Sequence, residues 1–570
     1  MEESVSIGPN GMQQKDGNIS LTVNATVNNQ QGQILNQPEM RDRPRASGYS
    51  EAGASTKKRS LKGMTGKSTS PNEDINWNNY TLRQRGRLMF MSSPVARSAI
   101  ETQKTKVVGT GLNLHSTVDR DLLNLTPDAA KEWQRKTERE WRLWADNKEN
   151  CDAIGMNSFA GMQQLAVTNW LPNGDIFGLF QRDFKTTPMN PYSLRIHMIE
   201  ADRICTPYDM KAVPSGMRTD GVARNGNRIY DGVEVDRHGK IVAIYVCNIY
   251  PNQMLRNVQD ITWQRVELRS SRTGLLNFVQ ILDSERPDQY RGVSYLAPVI
   301  EPMLNITRYT QSEVIGAMIQ SWFTAWIKTE TNPADFPLAE ASYGDDDNPD
   351  IPPDRNISDN SNEYEMGPGN VLHLGQNEDV KFGSPSIPTP GFESFVKVLC
   401  KEIGAALNIP YDVLLKEFNA SYSASRAALM EAWEAFRMRR AWLVERFCQP
   451  VYETWLAEAV ALGRISAPGF FNDPIIRAAW SKAEWLGPVQ GQLDPTKEVK
   501  ADILAVQHGF KTHEQVTREY GGGDWLENVE RLKDENQLLM EAGTNAPENA
   551  DRINNEPEPA PYTPGGGSNE

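Results

Sequence analysis

The sequence predicts an α+β fold spread over several domains, with long helices on either side of a β-rich centre. Three observations lead there. Apolar residues recur at helical spacing over Val293–Ile327 and again from about Ser423 to Leu462. Between Met156 and Tyr290 the pattern changes to period two, broken by turn signals. At 570 residues the chain exceeds what one core can fill, and length alone suggests roughly two to four domains.

Taken in order, residues 1–70 are rich in Asn, Gln, Ser, Gly and Lys and carry almost no large apolar side chain. Such a stretch cannot bury enough surface to offset its ordering entropy, and the expectation is a disordered arm. Arg41 to Lys67 holds eight basic and two acidic residues, so the arm is either a solvated tail or one that touches nucleic acid or a partner. SSPVARSAIETQKTKVVGTGL fits a helix stopping at Gly109, with Ser93 as cap and Pro94 in the first turn. Lys131–Trp144 is a second, charged helix, with Trp133, Trp141 and Trp144 on related faces, and Phe159–Trp170 is a third. LPNGDIFGLFQRD, DGVEVDRHGKIVAIYVCN and LLNFVQILD read as strands, with a turn at Asp236-Arg237-His238-Gly239. Helix returns over Val293–Ile327, where Val314, Met318, Trp322 and Trp326 are evenly spaced and Pro302 should bend the start.

The composition then shifts. Thr329–Glu365 holds eleven acidic residues and one arginine, and is either an exposed acidic excursion or a small domain with a mobile loop. Val371–Leu374 and Val380–Phe382 are short strand candidates, and Phe392–Leu407 is a helix ended by Asn408-Ile409-Pro410. After the polar stretch Lys416–Ser425, Leu429, Trp433, Phe436, Leu443, Phe447, Val451 and Trp455 mark a helix about 60 Å long at 1.5 Å per residue. Pro450 should kink it and Gly463 should stop it. Lys497–Ala542 is helical with a break at Gly521–Gly523, and the Pro- and Glu-rich end reads as a disordered tail.

The formal net charge of −14 argues against ordinary DNA binding over the whole surface. The five cysteines, Cys151, Cys205, Cys247, Cys400 and Cys448, are scattered without a CxxC pair, which fits buried thiols in a reducing compartment. No run is apolar enough to cross a bilayer, and MEESVSIGPN lacks a secretory core, so the expectation is a chain made and used in a cytoplasm. A search for chemistry finds little. GMTGKST has two residues between its glycines where a P-loop needs four, with Leu61 in the required position. His513-Glu514 begins like a zincin but has Thr517 in place of the second histidine. His197 and His373 sit in strand-like contexts as structural residues. No catalytic residue, cofactor or metal site is assigned. Asp345–Asp347 could draw a divalent ion, but lacks EF-hand spacing.

Several stretches, in order, resemble lambda-type phage portal proteins. They are RGRLMFMSSPVARSAIETQKTKVVGTGLNL, IEADRI, DGVEVDRHGKIVAIYV, SERPDQYRGVSYLAPVI, GPGNVLHLGQNEDVKF and, most closely, NIPYDVLLKEFNASYSASRAALMEAWEAFRMRR. Gln376-Asn377-Glu378 departs from the family's usual Pro-Gly-Glu turn. The resemblance covers roughly residues 75–545 and rests on collinearity rather than on any one motif.

It implies a ring of subunits, usually twelve, at one capsid vertex, through which double-stranded DNA is packaged and later ejected. The implied partners are further copies of the chain, the terminase large subunit, head-completion and tail-connector proteins, and capsid and scaffold proteins, with assembly in the host cytoplasm and no membrane. The implied layout is a basic arm (1–70), an α+β wing (71–290), a first stem helix (291–328), an acidic clip (329–390) and a second stem helix (391–415). A tunnel loop (416–425), a long kinked helix (426–463), wing and crown helices (464–545) and an acidic tail (546–570) complete it. Lys416, Asn419, Ser421, Tyr422, Ser423 and Arg426 are then the channel residues. Short polar side chains there would let DNA pass without being read, whereas tight phosphate contacts would have to break at every step. Asp345, Asp346, Asp347, Asp350 and Asp354 are the clip residues expected to meet partners. Arg437, Arg439 and Arg440 are expected to be solvated or intersubunit charges. The rival readings are a metal-dependent nuclease or hydrolase using the acidic cluster, and a head–tail adaptor, which its length disfavours.

Overall fold

A computed structural model describes residues 58–63, 68–182, 184–207, 220–251, 253, 261–321, 325–328, 371–374, 390–417, 422–491, 495–521, 523 and 525–541. The chain divides into two units, Met1–Ser68 and Thr69–Glu570. The first contributes one described turn of 3₁₀ helix, Arg59–Leu61. The second mixes helix and sheet, as the sequence predicts.

It opens with α1 (Pro71–Ser92) and α2 (Pro94–Val107). Ser70 and Glu73 form a reciprocal capping box at the start of α1, and Ser93 ends α1 while its hydroxyl accepts from Ala96 N to start α2. β1 (Asn113–Ser116), α3 (Pro127–Ala145), α4 (Lys148–Cys151) and α5 (Phe159–Asn173) follow. α5 runs three residues past the expected Trp170, through Pro172, so the first residues of LPNGDIFGLFQRD are helical rather than extended. Next come β2 (Asp175–Gln181), β3 (Arg195–Glu200), β4 (Asp220–Val222), β5 (Arg228–Tyr230), β6 (Val233–Val235), β7 (Ile241–Cys247), β8 (Trp263–Glu267) and β9 (Phe278–Leu282). They form two antiparallel sheets, β3-β2-β9 and β4-β5-β6-β7-β8. The expected turn at Asp236–Gly239 is present, with Asp236 Oδ1 accepting from the amides of His238 at 2.8 Å and Lys240 at 3.0 Å. β2 is buried on both faces. Phe177 and Leu179 pack with Ile199, Val233, Ile244 and Phe278 of the second cluster, while Ile176 and Phe180 join the main core. That is why DIFGLF reads as an unbroken apolar run.

α6 (Ile300–Ser321) is shorter than the expected 291–328 helix. Ala325–Lys328 is instead strand β10, paired in parallel with β11 (Val371–Leu374). Trp322 and Trp326 kept the helical interval, but AWIK is also a good strand sequence, and pairing with a distant partner decides between the two. The strand candidate Val380–Phe382 and the acidic Thr329–Glu365 lie outside the described residues.

α7 (Phe392–Ala406) ends within one residue of the expected Leu407, before Asn408-Ile409-Pro410, and a separate short α8 (Tyr411–Leu415) fills the rest of the span laid out as the second stem helix. α9 (Tyr422–Leu443) passes through a π-turn, Val444–Cys448, into α10 (Gln449–Ala461). The wide turn lies directly before Pro450. A proline ring collides with the carbonyl four residues back, and an extra residue in the turn relieves the collision. Gly463, at φ +73°, closes α10: its amide donates to Val460 O and that of Arg464 to Ala459 O, both at 3.0 Å. α11 (Pro474–Ser481), β12 (Ala483–Leu486), α12 (Pro495–Gln507), α13 (His513–Glu519) and α14 (Trp525–Glu541) complete the chain. β12 pairs antiparallel with β1, a closure across more than 360 residues that local reading misses.

The main core gathers the tryptophans. Trp141 meets Phe159, Trp455, Tyr452 and Trp485 edge-on at 5.2–5.8 Å, and fully buried Trp144 donates from Nε1 to Leu194 O at 3.0 Å. Four of the five cysteines are buried and all are free thiols.

Three of the stretches that carry the resemblance meet at one buried guanidinium. Arg291, of RGVSYLAP, holds Asp175 through Nε at 2.6 Å and Nη2 at 3.0 Å, and Asp231 at 2.9 Å. It also donates to Ala201 O and Ile204 O of IEADRI, at 2.9 and 2.8 Å. Arg83 adds Asp231 at 3.2 Å and Asn173 O at 3.3 Å. Burial pushes the Asp175 carboxyl up, but Arg291 and Arg83 together hold it below the ordinary range. Gly292 and Gly174 touch backbone to backbone here: a Cβ on Gly292 would lie 1.8 Å from Gly174 O, so no other residue fits.

Candidate functional site

The candidate site is the connection between α8 and α9, the segment read as a channel loop. α7 ends at a residue in left-handed conformation, Asn408 (φ +50°), and Pro410 opens α8. Asn tolerates that conformation; Lys416, which ends α8 at φ +58°, has no such excuse and carries some backbone strain. Its position is fixed from both sides. Glu417 N donates to Asp412 O at 3.0 Å, Glu417 Oε1 accepts from Lys397 Nζ at 3.2 Å and Oε2 from the Tyr411 hydroxyl at 3.1 Å. Its hydrogen bonds to Glu393 and Glu417 raise the Lys397 ammonium above its ordinary pKa, which keeps it charged. Ser98 of α2 donates to Leu414 O at 2.7 Å, seating α8 on α2.

The other end of the connection is α9. Its buried stripe, Ala432, Trp433, Phe436 and Leu443, includes Arg439, only 7% exposed. The Arg439 guanidinium lies 4.3 Å over the Tyr295 ring, and the Tyr295 hydroxyl donates to Leu407 O at the end of α7. Arg440 donates from Nε to Val107 O at 2.9 Å and from Nη2 to Lys106 O at 2.8 Å and Pro488 O at 2.6 Å. A cation at the C-terminal carbonyls of α2 is also favoured by the helix dipole. Adjacent arginines therefore fasten α9 against the ends of two other helices. This corrects the expectation that Arg439 and Arg440 are solvated or intersubunit charges. Arg437 alone of the three is exposed. The missed signal was spacing: Arg439 follows Phe436 by three residues and Ala432 by seven, on the buried face.

Of the expected channel residues, Lys416 lines a recess of about 420 Å³ with Lys106, Val413, Leu429 and Trp433. Tyr422 and Ser423 belong to α9 rather than to a loop through Ser425. The sequence YSASRAA allows this, since Ala and Arg are strong helix formers and Ser costs little. Arg426 also lies on α9 and pairs with Glu498 of α12 at 3.1 Å. Asn419 and Ser421 lie outside the described residues, as do Asp345, Asp346, Asp347, Asp350 and Asp354. Among the described residues, no three His, Cys, Asp or Glu side chains converge as a metal-holding group, and no helix is long and apolar enough to cross a membrane.

What these residues build is mechanical. Buried ion pairs and paired arginines hold helices and sheets in register and fix the α8 root of one short polar connection. Residues 57–440 match the family described as phage portal protein, lambda family, and the chain belongs to it. It is 23% identical over 465 residues to the portal protein of Escherichia phage N15, covering 79% of this chain and 83% of that relative. A probable portal protein of Halomonas phage phiHAP-1 is also 23% identical, over 447 residues and 78% of each chain. Among solved structures, a chain from the virion of a native gene transfer agent particle aligns over 78% of this chain and 93% of its own, at 12% identity and a TM-score of 0.36. The chain has a portal role in a phage; the family is structural rather than enzymatic.

Proposed function

We propose that copies of this chain close into a ring at the capsid vertex, and that residues 416–421 of each copy face the axis along which double-stranded DNA enters and leaves. The observation that carries this reading is the clamping of the α8 root of that connection, where Glu417 is held by Lys397 and Tyr411, while the helix beyond it, α9, is fastened near its far end by Arg439 and Arg440. A span that meets a moving duplex has to be short, polar and anchored in rigid elements, and KEFNAS between α8 and α9 has these properties. In this reading α6 and α7 are the two stem helices, both shorter than the 291–328 and 391–415 laid out from the sequence, with the wing before them and the crown after. Asp345, Asp346, Asp347, Asp350 and Asp354 then belong to the clip, where an acidic surface would meet the terminase and afterwards the head-completion and connector proteins. The particle is assembled in the host cytoplasm, with capsid and scaffold proteins as neighbours.

The test is deletion of residues 418–421 in the full chain. Electron microscopy of the purified protein should still show closed rings, while DNA packaging or retention falls at least tenfold. Loss of the rings themselves would make the segment an assembly element and overturn the channel role.

A further inference from the structure

One face of α9 carries Arg426, Met430, Trp433, Arg437 and Arg440 at alternating steps of four and three residues, and all five line a single cleft of about 880 Å³. Its other walls are the end of α2 with Lys106, the segment Gly487–Gly491, and α12 and α13. Two of its cations are matched locally: Arg426 by Glu498 at 3.1 Å, and Arg518 by Glu514 and Glu484. The acids Asp502 and Glu519 on its wall are taken by Lys511, at 2.9 and 2.6 Å. Lys106, Arg437 and Arg440 remain without a carboxylate partner among the described residues. Lys106 lies 5.6 Å over the Trp433 ring, Arg440 spends Nε and Nη2 on carbonyls, and Arg437 makes no ion pair among the described residues.

Three cations without a carboxylate partner make this cleft locally positive in a chain of net charge −14, which favours an anion there. Burial, with the neighbouring Arg437 as the smaller cause, pulls Arg440 down to about 10. We propose that this cleft is a seat for a phosphate-class oxyanion, gripped by the guanidinium of Arg437, the free Nη1 of Arg440 and the Lys106 ammonium. Guanidinium groups match tetrahedral oxyanions with paired N–H donors, and the openness of so large a cleft suits a phosphodiester on a chain as well as a free ion. The proposal does not rest on the channel reading, since these cations stand on α2 and α9 and not on residues 416–421.

Full-length protein carrying Arg437→Gln or Lys106→Gln is compared with wild type and with Arg272→Gln, which makes the same charge change on an exposed turn elsewhere. In the first arm, a fluorescent 20-base-pair duplex is titrated by anisotropy at several salt concentrations. The expected result is about tenfold weaker binding for each cleft variant, with the log–log salt slope reduced by about one, and no change for Arg272→Gln. In the second arm, thermal unfolding is followed with added inorganic phosphate. Stabilisation of wild type but not of Arg437→Gln, without duplex binding, would keep the oxyanion seat and assign it to a small ion. Equal losses for Arg272→Gln, or no response to either probe, overturn the proposal.

Discussion

At the scale of single residues, the fold depends on charged groups that are buried and answered. Glu234 is fully buried in the five-stranded sheet. Its carboxylate takes Arg265 in a fork at 2.7 and 3.1 Å, the amides of Asn225 and Asn227 at 2.7 and 2.8 Å, and the Tyr245 hydroxyl at 3.1 Å. Burial alone would raise its pKa, but the Arg265 and asparagine hydrogen bonds outweigh it and bring the group down to about 2. A pKa lower in the folded than in the unfolded chain stabilises the fold above the unfolded value and ceases to do so as pH falls through the folded one. Glu234→Gln should therefore destabilise the β4–β8 sheet by about 2 kcal/mol at pH 7, with the difference from wild type shrinking between about pH 4.5 and 2. Urea unfolding at pH 7 and pH 2.5 measures both; a difference that persists undiminished in acid would mean the amide disrupts packing rather than charge. The Arg291–Asp175 pair follows the same logic more deeply buried, and it brings short motifs far apart in the sequence to one point. Each supplies one side of the shell around a single guanidinium, and removing any side leaves a buried charge unanswered.

At the scale of elements, α9 and α10 form one rod with a designed irregularity. Phe447, Cys448, Val451, Tyr452 and Trp455 are all buried on the α10 side, and Trp433, Phe436 and Leu443 on the α9 side. The extra residue in the Val444–Cys448 turn is taken up by the wide turn, which leaves those two faces nearly in line. Deleting exposed Glu445 should therefore restore a plain α-helix with Trp455 still in the core, and the variant should fold. Inserting an alanine after Glu445 instead adds about 100° of rotation and should turn Trp455 out of the core; tryptophan fluorescence on heating distinguishes the two. If the deletion fails to fold, the π-turn is a required setting of the rod and not an absorbed extra residue. This rod was largely legible in the sequence, because its apolar stripe and Gly463 are local signals. So were the α2 cap at Ser93, the Asp236–Gly239 turn and the break at Gly521–Gly523. β10 and β12 were not, because a strand of four residues is decided by its partner, and those partners are β11 and β1, far away in the chain. Of the candidate site, the polar connection could be read from composition. Its clamps could not, since Lys397, Tyr411 and Glu417 become a unit only when α7, α8 and the strained Lys416 are folded together.

At the scale of the whole molecule, the C-terminal helices are attached differently from the rest. α12, α13 and α14 contain no buried residue. Their described ties to the body include the Arg426–Glu498, Arg135–Glu530 and Arg518–Glu484 ion pairs, whose partners are mostly well exposed. Exposed pairs of this kind contribute about 0–1 kcal/mol each and weaken with salt. β12, only nine residues upstream of α12, is the opposite case: it pairs with β1 along its length, and Trp485 packs against Trp141 and Tyr452 in the main core. The boundary of the folded body should therefore fall after Gly491. A chain ending there should keep its Tm within a few degrees of full length, because the lost contacts are exposed and screened. A chain ending at Ser481 removes β12, strips the edge of β1 and takes Trp485 from the core, at a cost of about 3–5 kcal/mol for the tryptophan alone. In the full chain, hydrogen exchange in 495–541 should accelerate as salt rises toward about 1 M, while the β1 and β12 amides stay protected. If the chain ending at Gly491 unfolds, or if salt exposes β1 together with α12–α14, then the helices Pro495–Glu541 are part of the structural body and the ion pairs are only the visible fraction of what binds them.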